Sequence, residues 1–123
     1  MNYLIIGASS GLGRELAYAF AKNHNNLIIS SRDLKDLNAA KSDLENKYKI
    51  EVKTLALDFS SIESINSILL SDKNLLEKID GVLFPIGMMF EKDDVDLNIE
   101  DSRMLLQSNY LSISYTISKL KKY

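Results

Sequence analysis

The stretch from Asn2 to Phe20, NYLIIGASSGLGRELAYAF, decides how the chain is read. A short apolar run, Tyr3-Leu4-Ile5-Ile6, stops at Gly7; Gly11 and Gly13 follow, and a helical pattern begins. Three glycines this close together exceed what a simple reversal of direction requires. The run before them has the length of a strand. The pattern after them places Leu12, Leu16, Ala19 and Phe20 on one face of a helix running from about Gly11 to Asn23.

The same alternation continues outward. A second strand is expected at Leu27–Ser30, then a helix with Leu34, Leu37, Lys41, Leu44 and Tyr48 on one stripe. A third strand, Ile50–Leu57, leads into a helix opened by Ser60 and Glu63 at capping-box spacing and carrying Ile62, Ile65, Ile68 and Leu69. A fourth strand, Gly81–Phe84, is closed by the sole proline, Pro85, where a missing N–H costs the ladder nothing. A polar loop through Glu91, Lys92, Asp93 and Asp94 precedes a last helix with Leu106, Tyr110, Ile113, Ile117 and Leu120 at helical intervals. Short apolar strands in strict alternation with helices predict an α/β fold, a doubly wound parallel sheet with helices on both faces. Right-handed crossovers favour the strand order 3-2-1-4, a Rossmann-like arrangement in one domain spanning residues 1–123.

Composition narrows the function. A chain of 123 residues with 46% hydrophobic content can fill one core, and a net charge of -2 gives no basic patch for nucleic acid. There is no cysteine, hence no disulfide framework or thiolate metal site, and the single histidine, His24, reads as structural. No apolar run approaches the roughly 20 residues needed to span a bilayer, and the N-terminus lacks a signal-peptide pattern. No membrane partner and a cytoplasmic location are therefore expected.

The turn after the first strand of a β-α-β unit sits at the carboxyl edge of the sheet, where the strand order reverses and ligands bind. Gly7 can adopt backbone angles closed to other residues, Gly11 lets a diphosphate approach the main chain, and Gly13 lets the helix pack against the sheet. The N–H groups opening that helix carry partial positive charge and suit an anion. A tight turn without a ligand is the plain alternative.

The spacing Gly7-Ala8-Ser9-Ser10-Gly11-Leu12-Gly13 closely resembles the short-chain dehydrogenase/reductase family. The resemblance extends through Ser30-Ser31-Arg32-Asp33, through Leu57-Asp58-Phe59-Ser60, similar to the family's adenine-holding segment, and to Asn109, similar to its helix-borne catalytic Asn. It implies a dinucleotide laid across the strand ends. Gly7, Ser9, Ser10, Gly11, Leu12 and Gly13 would hold the diphosphate side, Asp58 and Phe59 the adenine, and Gly87 the segment after strand four. At the tip of strand two, Ser31-Arg32 replaces the acidic residue that would bind the ribose hydroxyls of NAD. A guanidinium matches a phosphate in shape and charge, so NADP(H) is expected over NAD(H). Asp33 is expected to serve the start of helix two instead. Ser9 and Ser10 also fit as turn residues, Asp58 as a cap, Arg32 as a surface residue and Asn109 as a satisfied polar group.

Four departures from the family pattern stand out. Ile6 replaces a Thr, Phe84-Pro85-Ile86-Gly87 replaces Asn-Asn-Ala-Gly, and Ser112 replaces a Gly. The fourth concerns chemistry. The family moves a hydride between nicotinamide and a carbonyl or alcohol with a Tyr, a Lys and a Ser that follow a fifth strand, and the chain is expected to stop before that strand. Tyr115 and Lys119 stand four apart, but on the helix of Asn109, and are not taken as the pair. The expected protein is thus the cofactor half of an NADP-dependent oxidoreductase, inactive alone, with an unidentified carbonyl or alcohol substrate and a homo-oligomer formed through the last helix. The alternative is a stand-alone nucleotide-binding or redox-sensing module. Sugar-nucleotide epimerases rank below both, because their glycines are spaced differently.

Overall fold

The computed structural model describes residues 1–71, 73–88 and 97–121. Apolar residues on both faces of β1 (Asn2–Ile6) set the layering, because side chains alternate along a strand. Ile5 joins a core with Ala17 and Ala21 of α1 (Gly11–Lys22) and Leu37 and Leu44 of α2 (Leu34–Tyr48). Leu4 and Ile6 join a second core, on the opposite face, with Ile65 and Leu69 of α3 (Ile62–Ser71). β1 pairs in parallel with β2 (Asn26–Ser31) and with β4 (Gly81–Leu83), and β2 pairs with β3 (Val52–Ala56). The order is β3-β2-β1-β4, as the alternation predicts. A short α4 (Lys73–Leu76), then α5 (Ile99–Leu106), a π-helical turn (Gln107–Leu111) and α6 (Ser112–Leu120) complete the described elements.

Several local expectations need correction. The buried face of α1 is Gly13, Ala17 and Ala21, while Leu12 points to solvent. Close packing against the sheet puts the smallest residues underneath and displaces the larger ones to the flanks. On α2 the stripe is narrower than expected, since Leu34 is exposed. The cap of α3 is Ser61, not Ser60: its hydroxyl accepts from the Ser64 N–H at 3.1 Å and donates to Glu63 at 3.1 Å. The last helix is not one continuous stripe. Leu106 and Tyr110 are exposed, and Ser112 and Thr116 are its buried residues. The π turn inserts a wider repeat and rotates the face predicted from 3.6-residue spacing. α4 has no forerunner in the sequence reading, and the polar loop through Glu91–Asp94 lies outside the described residues.

Among the described residues no helix is long and apolar enough to cross a membrane, and no group of acidic residues and histidine is placed to hold a metal ion.

Candidate functional site

A cleft of about 630 Å³ opens at the carboxyl ends of the strands. Its floor is the glycine turn, with Gly7 and Ser9 through Leu12 along it. Ser31 and Arg32 from the end of β2 and Leu57 through Ser60 from the end of β3 form one wall. Pro85 through Met88 after β4, with Met104, Ser108 and Asn109 from the last helix, form the other. Of the residues singled out in the sequence, only Gly13 does not line it, and its role is structural. A Cβ there would lie 1.9 Å from the Gly7 carbonyl oxygen, so the helix can sit this close only without a side chain. Gly7 itself has φ +80°, and a Cβ would meet Ile86 at 2.6 Å. At Gly11 a Cβ would meet nothing within 4 Å, which leaves the main chain open to the cleft.

The start of α1 is chemically unlike those of α2 and α5. Asp33 caps α2, accepting from the Lys35 N–H at 2.8 Å, and Asn98 caps α5, accepting from the Asp101 N–H at 2.8 Å. Both helices carry acidic residues in the first turn. α1 has neither device: Ser10 makes no side-chain cap and the first turn holds no carboxylate. Its positive end therefore faces the glycine-lined floor uncompensated, and a diphosphate fits there.

Charged groups line the β2–β3 wall. Arg32 is exposed and makes no ion pair among the described residues, whereas the neighbouring Asp33 carboxylate is engaged at its helix cap. Asp58 accepts from the Ser60 hydroxyl at 2.6 Å and from the Ser60 N–H at 3.0 Å, both at Oδ1. These hydrogen bonds, with a smaller contribution from the Arg32 charge, hold its carboxyl below the usual carboxylate range despite some burial. Ser31 donates to the Ser9 hydroxyl at 3.0 Å and so ties the end of β2 to the glycine turn. Phe59 packs beside Phe84, ring centroids 5.9 Å apart.

On the opposite wall Asn109 grips the backbone of Met88 twice. It accepts from the Met88 N–H and donates to the Met88 carbonyl, both at 2.7 Å. That clamp fixes the segment after Gly87. Two hydroxyls close by, Ser108 and Ser112, are buried without a hydrogen-bond partner among the described residues. Sequence reasoning missed Ser108 and Met104 as cleft residues, because regular helical spacing does not foretell a π turn. Tyr115 and Lys119 stay out of the cleft. The Tyr115 phenol donates to Asn66 of α3 at 2.7 Å, and the Lys119 amine sits 5.2 Å from the centre of the Tyr115 ring. No Tyr, His or Lys is among the described residues that line the cleft. The arrangement can bind an anionic, hydrogen-bonding ligand, and Asp58 is the one carboxylate among the described residues that line it.

Strand order, glycine turn and uncompensated helix terminus define a Rossmann-like domain with its ligand cleft at the strand ends. Known proteins place it more closely. The family profile described as short chain dehydrogenase matches residues 2–123, and the chain belongs to that family of oxidoreductases. It is 34% identical over 112 residues to the NADP-dependent 3-hydroxy acid dehydrogenase of Schizosaccharomyces pombe, covering 89% of this chain and 43% of that protein. It is 43% identical over 82 residues to the very-long-chain 3-oxoacyl-CoA reductase of Phaeosphaeria nodorum, covering 64% of this chain and 22% of that one. The chain thus spans less than half the length of either relative. Among solved structures, an alcohol dehydrogenase from the archaeon Thermococcus sibiricus, complexed with 5-hydroxy-NADP, superposes with a TM-score of 0.86 at 26% identity. That match covers 98% of this chain and 52% of the other.

Proposed function

We propose that this chain binds NADP(H) as the cofactor-holding part of a short-chain oxidoreductase. The observation that carries the reading is the pairing of a free guanidinium, Arg32, with the uncompensated N-terminus of α1 across one cleft. The diphosphate lies on the glycine turn against the helix N–H groups. Arg32 takes the 2′-phosphate, and the neighbouring Asp33 is turned to capping α2. Asp58, with Oδ1 satisfied by Ser60, presents Oδ2 to the adenine amino group. Asn109 positions the segment after Gly87 through Met88, on the nicotinamide side.

When bound, the dinucleotide supplies a hydride donor or acceptor. The substrate is a carbonyl or alcohol. The two relatives are named for 3-hydroxy acids and 3-oxoacyl-CoA, which share an oxygen at carbon 3, and that common feature supports a substrate of the same class. Asp58 is engaged by Ser60, and no Tyr, His or Lys is among the described cleft residues, so we read the chain alone as holding the cofactor without turning over. The reading extends to self-association through the last helix, whose apolar face is exposed.

The test is a fluorescence titration with NADPH and with NADH, repeated on Arg32→Ala. The unaltered chain should prefer NADPH. Loss of one charge-assisted hydrogen-bonded contact to phosphate should weaken NADPH by about tenfold or more and leave NADH nearly unchanged. Equal weakening of both would remove the phosphate role, and binding of neither by a folded chain would refute the cofactor reading.

A further inference from the structure

Ser60 stands at the exposed tip of the turn that carries Asp58. The hydrogen bonds it donates stay inside that turn: its N–H and hydroxyl both go to Asp58. Its carbonyl oxygen is different. It accepts from the side-chain amide of Gln107, which lies 47 residues further along the chain in the π turn. Gln107 does not line the cleft. Two residues later on the same turn, Asn109 holds Met88 on the opposite wall. One widened helical turn therefore reaches both loops that flank the cleft.

We propose that Gln107 is a positioning residue for the adenosine side of the cofactor, fixing the Asp58–Ser60 turn against the last helix from outside the cleft. The inference rests on Asp58 being the adenine contact. Ser60 orients the Asp58 carboxylate by occupying Oδ1 twice, and so decides which oxygen is offered to a ligand. Whatever fixes Ser60 fixes that choice. Without the Gln107 donor the turn keeps only its ties to itself and to Ser64 of α3, its tip loosens, and the carboxylate direction loosens with it. The Asn109 clamp is independent of this contact, so the nicotinamide side should not respond.

The experiment uses the whole chain and two half-cofactors, adenosine 2′,5′-bisphosphate and reduced nicotinamide mononucleotide. Gln107→Met keeps the length and removes the donor. Its affinity for the bisphosphate should fall about fivefold, the size of one neutral hydrogen bond, with the mononucleotide unaffected. Gln107→Lys returns a donor of similar reach and should recover most of the loss. Amide hydrogen exchange at Ser60 and Ser61 should quicken in Gln107→Met while α1 keeps its rates. Equal weakening of both probes, or no weakening with unchanged exchange, overturns the proposal. If the unaltered chain binds neither probe, the cofactor reading falls on its own, and the exchange rates still decide whether Gln107 fixes the turn. Should Gln107→Met fail to fold, Gln107→Ala is read in the same way.

Discussion

Asp58 shows how a single residue's surroundings set its working range. Two hydrogen bonds from Ser60 stabilise the ionised carboxylate and draw its pKa down, with Arg32 adding to them. A group whose folded pKa lies below its unfolded one contributes stability above the unfolded value. It loses that contribution as pH falls through the folded value. The same holds for a ligand that needs the charge. The part of NADPH affinity that Asp58 supplies should therefore stay level from neutral pH into the ordinary carboxylate range and drop only below it, separate from the earlier change as the 2′-phosphate takes up a proton at pH ~6. Asp58→Asn should bind more weakly at neutral pH and lose the part of the acid decline that Asp58 contributes, which a titration series across pH reads directly. An unaltered acid decline in Asp58→Asn would show that another group is responsible. The sequence singles out Asp58 through its resemblance to the family's adenine-holding segment, and the structure places it in the cleft wall. The partner that sets its direction was not legible in the sequence, because Gln107 reaches Ser60 only after the last helix has folded back over the sheet.

At the scale of elements, α2 ends in an unfavourable way that is open to repair. Its C-cap, Lys49, has φ 56° and ψ 43°, the left-handed region, with its N–H bonded to the Glu45 carbonyl at 3.0 Å. A side chain there costs free energy that glycine avoids. Lys49→Gly should stabilise the fold by about 0.5–1 kcal/mol after allowing for glycine's larger unfolded entropy, and raise the melting temperature by about 2–5 °C. A thermal melt followed by circular dichroism tests this; an unchanged or lower midpoint would mean that the lysine stem packs usefully. Most elements were readable because β1 and β2 carry apolar runs and the longer helices have a period, which the four-residue α4 is too short to show. What misled was the detail of faces. Hydrophobicity assigns the stripe of α1 to Leu12 and Leu16, but close approach to the sheet selects Gly13, Ala17 and Ala21. The π turn at Gln107–Leu111 is invisible to any count of intervals, and it moves Leu106 and Tyr110 outward.

Across the whole molecule that outward rotation leaves one face unlike the rest. α5 buries no residue at all; Ile99 is 66% exposed, Leu106 62% and Tyr110 65%. Leu111 is half exposed beside them. Exposed apolar side chains grouped along one helical segment favour association, since each square ångström of apolar surface removed from water is favourable. β4 offers a second candidate surface. It is three residues long, pairs among the described residues with β1 alone, and borders a groove of about 460 Å³ lined by Leu76, Val82, Phe84, Ile117 and Leu120. The helix face carries the most exposed of these side chains, and an oligomer formed through it should dissociate on dilution. Sedimentation velocity at rising concentration should show a shift from monomer to dimer or larger species. Leu106→Lys combined with Tyr110→Lys should restore the monomer at every concentration, while the circular dichroism of the sheet stays unchanged. Association that survives both substitutions would point to the β4 edge, where strand pairing between copies needs no helix contact. A sharp monomer boundary in the unaltered chain at high concentration would rule out both surfaces and leave the exposed residues without a self-partner.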